Sequence, residues 1–79
     1  MPTLLLINGI RFFFYSNENN ESIHVHVTKG SAYAKIWLLP FIEVAYMHQF
    51  TNSEIKMIME IINIHSNTFK AKWYEHFSK

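Results

Sequence analysis

The stretch Ile23-His24-Val25-His26-Val27 decides how this chain folds. Apolar and polar residues alternate strictly along it, and both polar residues are imidazoles. Period two is the signature of a half-buried β-strand. Ile23, Val25 and Val27 are therefore expected on one face of a sheet, with His24 and His26 together on the other. Two titratable rings on one open face offer a place for chemistry or binding, without yet defining an activity.

The flanking segments supply pairing partners for that strand. Ala32–Leu38 reads as a second strand, joined through Lys29-Gly30 as a two-residue turn. This register sets Val27 opposite Ala32, Val25 opposite Ala34 and Ile23 opposite Ile36. It also sets His26 opposite Tyr33 and His24 opposite Lys35. Upstream, Asn8-Gly9 separates Thr3–Ile7 from Ile10–Tyr15. A type I′ turn needs two residues that accept positive φ, so Asn-Gly predicts a hairpin pairing Ile7 with Ile10, Leu6 with Arg11 and Leu5 with Phe12. Ser16–Ser22 is polar and Asn-rich, a surface loop. Pro40 closes the strands, and Phe41–Met47 reads as a short helix.

Thr51-Asn52-Ser53-Glu54 is a capping box, in which the Thr51 hydroxyl takes an orphan N–H and Glu54 reaches back. Beyond it Ile55, Ile58, Met59, Ile62, Phe69, Trp73 and Phe77 recur at helical spacing. The pattern predicts one helix of roughly seven turns, or two helices broken near Asn63–Asn67, where Asn and Ser66 are weak helix formers. So apolar a helix must lie on a sheet face. The expected fold is α+β: a four-stranded, mainly antiparallel sheet from two β-hairpins, packed on one face by a long C-terminal helix. The other face is then open and carries Leu4, Leu6, Arg11, Phe13, Tyr15, His24, His26, Tyr33, Lys35 and Trp37. An apolar patch of that size on a monomer signals a partner or ligand.

Composition bounds the functions open to this fold. Residues 1–79 form one small domain, and a chain this short buries only ~60% of its unfolded surface. It has no cysteine, which excludes a disulfide scaffold, so aromatic packing or oligomerisation must compensate for the thin core. The apolar run Leu4-Leu5-Leu6-Ile7 lacks a basic flank and stops at Asn8-Gly9, so neither a signal peptide nor a membrane span is expected. A cytoplasmic protein with no membrane partner is the default. The formal net charge is +1, with acidic and basic residues balanced in both halves, which argues against duplex DNA as a partner.

Each candidate site has a plain structural alternative. His24 and His26 at i, i+2 spacing could share a metal, but a third ligand from Glu18, Glu21 or His48 would need a tertiary accident, so no metal and no cofactor is expected. As a catalytic pair beside Arg11 and Lys35, the two imidazoles could move protons on RNA while the cations hold phosphate, as a metal-independent ribonuclease requires. As structural residues, they are cross-strand packing partners. Arg11, Tyr15, Tyr33, Lys35 and Trp37 form a binding set of interleaved aromatics and cations. It suits single-stranded RNA, whose bases stack on such rings. It suits a protein interface better, because Trp, Tyr and Arg are the usual anchors and no charge excess is needed. His65 on the apolar stripe reads as a core residue, His76 as a capping or solvated one, and His48 as a loop residue. No phosphate-binding glycine loop, nucleophile elbow or carboxylate pair occurs.

Pro2-Thr3, Arg11-Phe12-Phe13-Phe14-Tyr15-Ser16-Asn17-Glu18, His24-Val25-His26-Val27, Ala34-Lys35-Ile36-Trp37-Leu38 and Trp73-Tyr74-Glu75-His76-Phe77 together resemble a family of short bacterial proteins known as domain of unknown function number 4160. The resemblance covers nearly the whole chain. It implies that the protein is encoded beside another small protein, in pairs proposed as toxin–antitoxin modules, and it brings no enzymatic activity. Leu6 stands where the family tends to have a basic residue, and Ser22-Ile23 where it tends to have a proline pair. The first difference removes a cation from the open face, and the second leaves a less rigid entry to the histidine strand. The expected function is a component of a toxin–antitoxin-like pair, docking a cognate small protein from a neighbouring gene or a second copy of itself through the open sheet face. The alternatives are a ribonuclease-type toxin using His24 and His26, or a single-stranded RNA-binding module.

Overall fold

The computed structural model describes residues 3–14 and 21–77. Five strands form one antiparallel meander: β1 (Thr3–Ile7), β2 (Ile10–Phe13), β3 (His24–Lys29), β4 (Ala32–Trp37) and β5 (Glu43–His48), side by side in chain order. Helix α1 (Asn52–Phe77) follows. The α+β class, the antiparallel sheet and the C-terminal helix agree with the sequence reading; the strand count does not.

The first hairpin forms as its turn chemistry requires. Asn8 has φ of 52° and Gly9 of 77°, and Ile7 pairs with Ile10, Leu6 with Arg11 and Leu5 with Phe12. One irregularity between Thr3 and Leu5 lets Thr3 face Phe13. The second hairpin turns one residue later than expected, at Gly30-Ser31, because Gly30 takes the positive φ of 58°. Lys29 therefore faces Ala32, Val27 faces Ala34 and Val25 faces Ile36. The register moves by two positions, an even number, so every side chain keeps its face. The imidazoles change neighbours: His26 faces Lys35 and His24 faces Trp37.

The fifth strand replaces the short helix expected over Phe41–Met47. Val44, Tyr46 and Met47 favour a pleated surface, and β4 offers a free edge for them. Five residue pairs link the two strands, from Tyr33 with His48 to Trp37 with Glu43, around an irregularity between Lys35 and Ile36.

The helix runs unbroken through Asn63–Asn67, so packing outweighs the weak propensity there. Its stripe Ile58, Ile61, Ile62, Phe69 and Trp73 is buried against Phe12, Val25, Val27, Ala34 and Ile36 of the sheet. Phe12 lies at the centre, fully buried, with its ring stacked 5.8 Å from Phe69. Both ends of the helix are fastened. Where it starts, the Thr51 backbone N–H donates to Glu54 Oε1 (2.9 Å) and the Glu54 N–H to Thr51 Oγ1 (3.2 Å). Lys29, at the end of β3, reaches the same carboxylate at 2.7 Å. At the other end, Trp73 packs on Phe14 (5.2 Å) and Phe77 (4.5 Å).

Replacing Phe12 by Ala should cost about 3–5 kcal/mol, close to the whole stability of so short a chain. Circular dichroism should show no cooperative thermal transition for Phe12→Ala, whereas Phe12→Leu should keep one. A second prediction concerns the cap. The hydrogen bond from Lys29, then that from the Thr51 backbone, hold the Glu54 carboxyl below its ordinary pKa. Its stabilising contribution is thus present above that ordinary value and lost as the pH falls through the lowered one. Urea denaturation should show wild type exceeding Glu54→Gln at neutral pH, with the difference closing in acid; Thr51→Ala should cost about 1 kcal/mol.

Candidate functional site: the aromatic sheet face

The sheet face turned from the helix stripe is built from cross-strand neighbours. One rung runs Arg11, Thr28, Tyr33 and His48; the next runs Phe13, His26, Lys35 and Tyr46; the third runs His24, Trp37 and Glu43. Residues directly opposite each other have Cβ atoms about 4.5–5.5 Å apart, so each rung is a line of touching side chains. Of the residues singled out in the sequence, Arg11, His24, His26, Tyr33, Lys35 and Trp37 all fall on this grid. Tyr15 lies outside the described residues.

The grid is divided, not uniformly open. Phe13, His24 and His26 are buried, with His24 only 1% and His26 8% exposed. The expectation of two open imidazoles fails because rings enclose them. Phe13 stacks on His26 at 5.6 Å, and Trp37 meets His24 edge-on at 5.3 Å. Trp73 of the helix also reaches His24, at 5.0 Å. His24 opens its strand at the same sheet end as Phe14, and the helix terminus arrives there. The two imidazoles are 5.1 Å apart and nearly perpendicular. His24 Nδ1 lies 2.8 Å from the Ser22 carbonyl. A carbonyl only accepts, so Nδ1 carries the proton in this bond.

The cations are held as well. Arg11 lies 4.5 Å over the Phe13 ring and donates from Nε to Thr3 Oγ1 at 2.9 Å. Lys35 lies 4.4 Å over the Trp37 ring and pairs with Glu21 at 2.8 Å. Each is a cation–π arrangement that rigidifies the grid.

The accessible half is the β4–β5 side. Tyr33 and Tyr46 are exposed, with ring centroids 5.9 Å apart, and His48 lies 4.7 Å from Tyr33 and 5.7 Å from Tyr46. Sequence reasoning missed Tyr46 and His48 because it placed the first in a helix and the second in a loop. The alternation of Tyr46 and His48 about Met47 was the available signal. At the other end of the β4–β5 ladder, Ser22, Trp37, Leu39, Pro40 and Glu43 line a pocket of about 250 Å³.

The remaining histidines are packing residues. His65 stacks on Phe69 at 5.9 Å, and His76, in the last turn of the helix, meets Phe14 edge-on at 5.3 Å. Among the described residues, no three His, Asp or Glu side chains are placed to hold a metal ion. No described helix is long and apolar enough to cross a membrane.

No curated protein and no solved structure matches this chain. The sequence profile of a domain of unknown function, DUF4160, matches residues 9–74, which carry every described element except β1 and the last turn of α1. A match over that much of its length places the chain in the DUF4160 family, the domains of unknown function.

Proposed function

We propose that this chain is a protein-interaction component of a small toxin–antitoxin-like pair, and that it docks through the aromatic face of β4 and β5. One observation carries the reading: Tyr33, Tyr46 and His48 form an exposed cluster on an otherwise ordered grid. Tyrosines are preferred anchors because they bring large contact area with few rotatable bonds. The rings already touch one another, so little side-chain freedom remains to be lost on docking. A net charge of +1 gives no general attraction to a polyanion. The pairing with a neighbouring gene's product comes from the family resemblance, with self-association as the other form of the same docking.

The burial of His24 and His26 weighs against proton transfer on RNA, because a phosphodiester must come within about 3 Å of the imidazole nitrogens. Arg11 and Lys35 are likewise engaged by Phe13, Thr3, Trp37 and Glu21. Bases stacked on Tyr33 and Tyr46 would have to draw these cations from the partners they already hold.

Co-expression with the product of the adjacent gene, followed by chromatography with light scattering, tests the reading. The chain should elute as a complex with that product or as a dimer. Tyr33→Ala with Tyr46→Ala should weaken the association at least about tenfold, the scale of losing one anchor, without lowering thermal stability. A strict monomer that ignores the neighbouring product would overturn the proposal. RNA cleavage that arrests growth and disappears in an equally soluble His24→Gln/His26→Gln variant would replace it with the ribonuclease.

A further inference from the structure

We infer that the pocket at the Trp37–Glu43 end of the β4–β5 ladder receives the guanidinium of an arginine on the docking partner. The inference rests on the reading of the β4–β5 face as a docking surface, and it names the chemistry of one contact there. Three observations support it. The pocket, at about 250 Å³, lies below the usual range of small-molecule sites and suits a single side chain. Its lining combines Trp37, Leu39 and Pro40, which are apolar or aromatic, with Ser22 and the acidic Glu43. Trp37 and Glu43 are direct cross-strand partners, so the ring and the carboxylate converge by register.

The local charge count selects a cation. Lys35 is neutralised by Glu21 at 2.8 Å. Glu43 has no ion-pair or hydrogen-bond partner among the described residues, which leaves one unmatched negative charge at the pocket. Lys35 already rests over the Trp37 ring, which shows that the indole is placed to accept positive charge. A guanidinium fits better than an ammonium because it is planar, weakly hydrated, and able to stack on a ring while donating a fork of hydrogen bonds to a carboxylate.

Titration with Nα-acetyl-arginine amide, read at the Trp37 indole N–H by NMR, tests this directly. Trp37→Phe identifies the signal and separates it from Trp73. The arginine probe should move the Trp37 signal with saturable, salt-weakened binding, while the neutral isostere Nα-acetyl-citrulline amide should not. Glu43→Gln, a change on an exposed residue, should weaken the arginine probe about fivefold, the scale of an exposed ion pair. An unmoved Trp37 signal, equal binding of citrulline, or unchanged binding in Glu43→Gln would each overturn the inference. Partner association that depends on Tyr33 and Tyr46 alongside any of those results would remove the arginine pocket and leave the docking surface standing.

Discussion

A single helix can cover only one face of a five-stranded sheet, and the organisation of this protein follows from that constraint. The covered face holds Phe12, Val25, Val27, Ala34 and Ile36 against the helix stripe, and together they form the hydrophobic core. Among the described elements, none forms a layer over the other face. Ring on ring, cation over ring, and an ion pair to Glu21 help to order it. A surface built that way is firm without being hidden, which is what a docking face needs. The Trp pair is where the two faces meet. Trp73 comes from the helix and Trp37 from the sheet, and both contact His24. The burial of that imidazole is therefore a product of how the layers join at one end.

Much of this was legible in the sequence, and the reasons differ by element. The Asn8-Gly9 hairpin could be placed to the residue because both positions need positive φ and few other pairs supply it. The capping box formed as read because its two hydrogen bonds are local and owe nothing to tertiary context. The face assignment of β3 and β4 survived a wrong turn position because a two-residue shift preserves parity. Side-chain neighbours did not survive it, and the binding grid consists of neighbours.

β5 was not legible for a physical reason. Glu43–His48 is an edge strand with an irregularity, so its alternation is interrupted and only Met47 on it is partly buried. Strand character there comes from the free edge of β4, a partner that local pattern cannot display. The enclosure of His24 was hidden for a similar reason, since Trp73 lies far along the chain. A long-range contact at a helix terminus leaves no trace in periodicity.

The order of the strands bears on how the chain reaches this state. Each strand pairs with the one made just before it, so the meander closes only short loops and can assemble rapidly as the chain is synthesised. The helix follows every strand it covers, so it emerges from the ribosome after them. Until then Phe12, Val25, Val27 and Ile36 face solvent on a formed sheet, a sticky nascent surface of the kind that chaperones recognise. Emergence of the helix itself is the event that shields it.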